Sequence, residues 1–98
     1  MRHVTLYTKD GCTLCRGVKA TLEELHHEFD FLLQEIDITS DPGLYARYRE
    51  TIPVVIVASP INRDPVVLTT RITEDSLRRA LAHGDRGRLH WLRNVFRF

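Results

Sequence analysis

The two cysteines of this 98-residue chain stand three positions apart, as Cys12-Thr13-Leu14-Cys15. A Cys-x-x-Cys pair that follows a strand-like segment and opens a helix reads as a thiol–disulfide exchange motif. The chemistry benefits from that setting. The first turn of a helix carries unpaired N–H groups and the positive end of the helix dipole, and both stabilise a thiolate. The thiolate is the form that attacks a disulfide, so a lowered pKa raises its population near neutral pH. Cys12 belongs at the helix mouth, exposed and nearest the unpaired amides, and takes the part of nucleophile. Cys15 follows one turn further in on the same side, where its thiol reaches back to resolve a mixed disulfide. Lys9, three residues before Cys12, adds positive potential, and Asp10 partly cancels it. Thr13 and Leu14 bring no charge and no proline between the cysteines, so they leave the reduction potential open across the oxidoreductase range.

Two blander readings compete. A closed zinc site needs four ligands, but the chain has no second cysteine pair. His26 and His27 fall more than two helical turns beyond Cys15 and, as neighbours on a helix, point in different directions. The other alternative is a pair of inert core thiols, since free cysteine is often simply buried. Redox exchange is the reading that the motif's position favours over both.

The elements that must hold the motif follow from periodicity. His3 to Thr8 alternates with Val4 and Leu6 on one face and reads as the first strand. Gly11 supplies a turn. Cys15, Val18, Leu22, Leu25 and Phe29 then recur at steps of three and four, one apolar helical stripe, with Gly17 weakening its first turn a little. Phe31 to Ile38 is a second strand, interrupted by Gln34, Glu35 and Asp37, which suits an edge position. Asp41 is a good N-cap and Pro42 fits the first helical position, so a short helix with a narrow apolar side of Leu44, Tyr45 and Tyr48 runs to about Glu50. Pro53 to Ala58 is the most continuously apolar run and reads as a central strand covered on both faces. After a loop from Ser59 to Pro65, Val66 to Thr70 forms a hairpin partner. A last helix starts at Thr73, turns Leu77, Ala80 and Leu81 inward, and stops at Gly84.

That order, β-α-β-α-β-β-α, packs most simply as an α/β fold: a four-stranded mixed sheet with helices on both faces. The first two strands, joined through a helix, are parallel through a right-handed crossover. With Cys12-Thr-Leu-Cys15 after the first strand and Thr51-Ile52-Pro53 before the third, residues 3–82 resemble the thioredoxin superfamily. More narrowly they resemble glutaredoxins and a small glutaredoxin-like domain family with a Cys-x-Leu-Cys motif. The resemblance implies a thioredoxin-like domain over residues 1–82. It also implies a substrate-binding surface made by Lys9, Thr13, Leu14, Thr51, Ile52 and Pro53. Pro53 is then expected to follow a cis peptide bond and sit against the disulfide, with the backbone of Ile52 pairing with an extended thiol substrate.

The chain departs from the glutaredoxin pattern at two places. Thr13-Leu14 replaces the usual aromatic pair between the cysteines. Thr69-Thr70-Arg71-Ile72-Thr73 stands where glutaredoxins have a Gly-Gly turn, and side chains there crowd a backbone approach that glycine permits. Exchange with protein disulfides needs fewer specific contacts and survives both departures. Glutathione stays a candidate substrate and reductant, and no further cofactor is required. Two alternatives from other classes remain: a dimer that binds a two-iron, two-sulfur cluster through Cys12 and glutathione, and a non-redox thioredoxin-fold adaptor.

Composition fits an ordinary soluble domain, with 43% hydrophobic and 28% charged residues and a net charge of +1. No apolar run approaches membrane-spanning length, no signal-peptide pattern precedes the first strand, and the expected compartment is the cytoplasm. Residues 83–98 form a basic amphipathic extension with Arg86, Arg88, Arg93 and Arg97 against Asp85. Leu89, Leu92, Val95 and Phe96 fall on one helical face beside Trp91. Packing on the domain is the first reading for this extension, and a partner or dimer contact through residues 86–98 the second. Four arginines are a weak footprint for nucleic acid.

Overall fold

The computed structural model describes residues 2–59 and 64–83. Strand β1 (Arg2–Thr8) leads into helix α1 (Thr13–Leu25), strand β2 (Phe31–Asp37), helix α2 (Pro42–Tyr48), strands β3 (Val54–Ala58) and β4 (Val66–Thr69), and helix α3 (Glu74–His83). The four strands lie in the order β2-β1-β3-β4. β1 and β2 are parallel, while β3 runs antiparallel to both β1 and β4. The polar interruptions of β2 therefore sit at a sheet edge, and the apolar run of β3 sits at the centre, as expected.

Strand alternation decides which helix covers which face. Val4, Leu6, Val55 and Val57 point to one side, where they close a core with Val18, Leu22 and Leu25 of α1 and Leu77, Ala80 and Leu81 of α3. On the opposite side Tyr7 stacks on Tyr48 of α2, with ring centroids 4.6 Å apart. The fold is thus α/β with helices on both faces, but unequally covered, because α2 buries none of its residues. Each fully buried aliphatic side chain of the core contributes about 1.5–3 kcal/mol. Polar links join α1 to the sheet and α3 to the turn after α1. Lys19 of α1 meets Glu35 of β2 at 3.2 Å. Arg78 of α3 bridges Glu28 at 2.6 Å and Glu74 at 3.0 Å, and these hydrogen-bonded carboxylates raise its pKa further above the ordinary value.

Several boundaries differ from the sequence reading. β1 begins at Arg2 rather than His3, and β4 ends at Thr69 rather than Thr70. α1 ends at Leu25 rather than reaching Phe29. The chain leaves the helix in a turn whose last bond is Phe29 N–H to the Leu25 carbonyl, 3.0 Å. β2 stops at Asp37, and Ile38, expected in the strand, is buried in a 3-10 turn, Ile38–Ser40. Asp37 caps that turn by accepting from the amide and hydroxyl of Thr39 at 2.8 and 2.7 Å. α2 ends at Tyr48, short of Glu50, and β3 begins at Val54, leaving Pro53 outside it. The caps at Asp41 and Thr73 behave as capping chemistry predicts. Asp41 accepts from Gly43 N–H at 3.0 Å, and the Thr73 hydroxyl accepts from Ser76 N–H at 3.0 Å. The basic extension, the helix stop at Gly84 and most of the loop after Ser59 lie outside the described residues. No described helix is long and apolar enough to cross a membrane.

Candidate functional site: a disulfide at the mouth of a helix

Between β1 and α1 the chain has to turn within four residues, Lys9 to Cys12. Gly11 does so at φ +83°, in the left-handed region that glycine enters without steric cost, and Cys12 N–H closes the turn on the Lys9 carbonyl at 3.2 Å. Cys12 is then the N-cap of α1, at φ −87° and ψ 102°. Its carbonyl accepts the first helical hydrogen bond from Arg16 N–H, and its Sγ accepts from Cys15 N–H, each at 3.2 Å. A sulfur here fills the place that Ser, Thr or Asp oxygens usually take at an N-cap.

Cys12 and Cys15 are joined in a disulfide, with their Cα atoms 5.3 Å apart. The two sulfurs are not equivalent. Cys15 is 1% exposed and lies beneath the helix, whereas Cys12 is half-buried at its mouth. An incoming group therefore reaches the pair from the Cys12 side. No acidic side chain stands in the first turn of α1 to oppose negative charge on sulfur.

The other residues expected at the site fall into two groups. Thr13 and Leu14 are the first two residues of α1, and Leu14 is 61% exposed. Lys9 is half-buried and holds its ammonium 5.9 Å above the Tyr45 ring of α2, a cation–π placement that ties the loop before Cys12 to that helix. Thr51 and Ile52 follow α2 and are half-buried, just before β3, whose first residue Val54 pairs with Tyr7 near the end of β1. The Ile52–Pro53 peptide bond is cis, with Pro53 buried. Thr51 N–H and Ile52 N–H both donate to the Tyr48 carbonyl, at 2.9 and 3.0 Å. The Ile52 N–H is thus engaged within the protein, which restricts the expected backbone pairing with a substrate to its carbonyl.

The loop after β4, which the sequence reading treated as crowding the glutathione approach, connects these groups. Thr70 N–H donates to the carbonyls of Thr51 and Pro53 at 3.1 and 3.0 Å. Thr70 itself sits at φ 61°, unusual for a β-branched residue. The same loop, Thr70 to Thr73, forms one wall of a groove of about 430 Å³ whose other wall is Thr13, Leu14, Gly17, Val18 and Thr21 of α1. The signals in the sequence were the departure from glycine after the fourth strand and a glycine inside the first helix. Among the described residues, no cluster of three or more His, Cys, Asp or Glu side chains is placed to hold a metal ion.

Residues 3–82 match the family described as Glutaredoxin-like domain (DUF836). The uncharacterized protein Rv0508 of Mycobacterium tuberculosis is 37% identical over 59 residues, a match that covers 55% of this chain and 61% of that protein. The chain thus spans less than two thirds of the length of that relative. A structural-genomics target protein of X. campestris superposes with a TM-score of 0.61 at 26% identity, over 82% of this chain and 96% of its own. A mutant thioredoxin from Halobacterium salinarum NRC-1 superposes with a TM-score of 0.67 at 18% identity, over 84% of this chain and 73% of its own, a likeness of fold. Fold and cysteine pair together support a thiol redox role.

Proposed function

The chain belongs to the glutaredoxin-like domain family (DUF836), and from that membership and its cysteine pair we propose that it is a thiol–disulfide oxidoreductase. Its substrates are protein disulfides or glutathione mixed disulfides. The observation that carries the reading is the asymmetry of the pair. One cysteine caps a helix and is only half-buried, and the other, three residues further along, is buried and bonded to the first.

The cycle starts from the reduced dithiol. The Cys12 thiolate, held by the Cys15 N–H and the helix N-terminus, attacks one sulfur of a substrate disulfide R–S–S–R′. A Cys12–S–S–R bond forms, and R′S⁻ leaves and takes up a proton. Cys15 gives up its proton and attacks Cys12 Sγ, which releases RS⁻ to be protonated in turn. Two electrons have passed to the substrate, and the protein is left with the disulfide of this structure. Two thiols from glutathione, or a dithiol reductase, return those electrons by the reverse sequence of exchanges. That reset suits a compartment rich in thiol reductants, such as the cytoplasm.

Thr51, Ile52 and Pro53 would flank the substrate chain in this cycle, with Lys9, Thr13 and Leu14 around the attacking sulfur. The reading is tested by the reduction of insulin and of a glutathione mixed disulfide by the wild type and by Cys12→Ser. Activity in the wild type and its loss in Cys12→Ser are expected; equal rates in the two proteins overturn it.

A further inference from the structure

We propose that the groove between the first turns of α1 and the Thr70–Thr73 loop selects protein substrates. It receives an apolar side chain beside the substrate cysteine, with Gly17 keeping it open and Arg71 favouring a carboxylate at its rim. The proposal rests on the exchange reading above and names the substrate class for that site.

Gly17 carries the argument. In a helix interior glycine is less favourable than alanine by about 0.8–1 kcal/mol. Neither the backbone nor the packing asks for it here. Its φ lies outside the left-handed region, and a Cβ built on it meets no atom within 4 Å. Alanine would fit and would hold the helix better. What the bare backbone does provide is outward: it floors the groove between Leu14 and Thr21. Thr21 keeps that floor low, because its hydroxyl donates to the Gly17 carbonyl at 3.0 Å and is tied to the helix.

The groove reaches the motif through its two middle residues. Thr13 and Leu14, the latter 61% exposed, stand between the two cysteines and form part of its wall. Its volume of about 430 Å³ falls within the range of small-ligand sites, roughly 300–1,000 Å³. Leu14, Val18 and Ile72 supply aliphatic surface. Arg71 supplies the charge; it lines the groove, is exposed and, like Arg16 and Arg47, has no ion pair to a described residue. Glutathione brings two carboxylates and no apolar side chain to such a surface. A polypeptide with an apolar residue next to its cysteine and an acidic one nearby matches both of its features.

The test compares the symmetric disulfides of a short peptide carrying leucines on both sides of its single cysteine, the same peptide with glycines there, and 2-hydroxyethyl disulfide. The leucine peptide is also made with glutamate or with lysine as its next residue. The wild type is expected to prefer leucine over glycine at least tenfold in kcat/KM. That ratio should fall at least fivefold in Gly17→Leu, a change that strengthens the helix and so preserves folding, as thermal unfolding verifies. Arg71→Glu should invert the preference for glutamate over lysine. Equal turnover of the leucine and glycine peptides, or an unchanged ratio in Gly17→Leu, overturns the groove while leaving disulfide exchange standing. A wild type inert on all three disulfides overturns the exchange reading and the groove with it.

Discussion

The amide of Thr70 donates to the carbonyl of Pro53 at 3.0 Å, and to that of Thr51 at 3.1 Å, so the loop after β4 hangs from the turn that precedes β3. The arrangement holds Thr70 at φ 61°. For a residue with a Cβ this region costs about 1–2 kcal/mol, and glycine, which avoids that cost, gives back about 0.5–1 kcal/mol through its freer unfolded chain. Thr70→Gly is therefore expected to stabilise the protein by up to ~1.5 kcal/mol in urea unfolding. It also removes a side chain from the approach to the Thr-Ile-Pro turn. The ratio of kcat/KM for a glutathione mixed disulfide to that for a peptide disulfide should rise in the same variant, and a fall in that ratio would count against the crowding argument.

Leu22 sits fully buried where α1 meets the sheet and α3. Leu22→Ala leaves a cavity and is expected to cost about 2–5 kcal/mol, measured by denaturant unfolding. Domains of this size have a total stability of about 5–15 kcal/mol, so the variant sits close to the unfolding threshold.

The second helix meets the sheet through an aromatic contact. With no buried residue of its own, α2 sets Tyr48 on Tyr7 of β1, the two rings inclined by 24°. A double-mutant cycle of Tyr7→Leu and Tyr48→Leu should return a coupling of about 0.5–1.5 kcal/mol. A coupling near zero would place the attachment of α2 elsewhere.

Asp37 gives a pH dependence with a defined sign. Hydrogen bonds from the Thr39 hydroxyl and then the Thr39 amide hold its carboxyl below the usual carboxylate range, against a small opposing effect of burial. The folded protein thus binds the proton more weakly than the unfolded chain, whose carboxylate titrates near about 3.9. The contribution is complete above that value and is lost as pH falls through the depressed one. Asp37→Asn keeps an acceptor for Thr39 but removes the titration. The stability advantage of the wild type over this variant, measured by urea unfolding at neutral pH, should disappear in strong acid.

Much of this was legible in the residues because local and global preferences agree. Val18, Leu22 and Leu25 recur at helical spacing and are buried at that spacing, and Asp41-Pro42 starts a helix as capping chemistry requires. Phe29 misled because its four-residue step from Leu25 fits a helix, yet it also fits a turn closed by one such bond. Ile38 misled because an apolar residue after a strand looks like more strand, whereas Asp37 beside it caps a new turn. Arg2 shares the face of Val4 and Leu6 by strand alternation and is only 4% exposed despite its charge. Burial lowers its pKa, and the charge of Asp30 opposes that shift. At the site, the cysteine pair and the cis proline turn carry recognisable motifs. The groove does not, since Gly17 and Thr70 meet across it from segments more than fifty residues apart.

The most direct test of the account is mass analysis of Cys15→Ser and Cys12→Ser after each is reduced and mixed with a peptide disulfide. Cys15→Ser should accumulate a mixed disulfide carrying one peptide on Cys12, because the thiol that would release it is gone, and Cys12→Ser should carry none. An adduct on Cys15 in Cys12→Ser, with Cys15→Ser left unmodified, would contradict it.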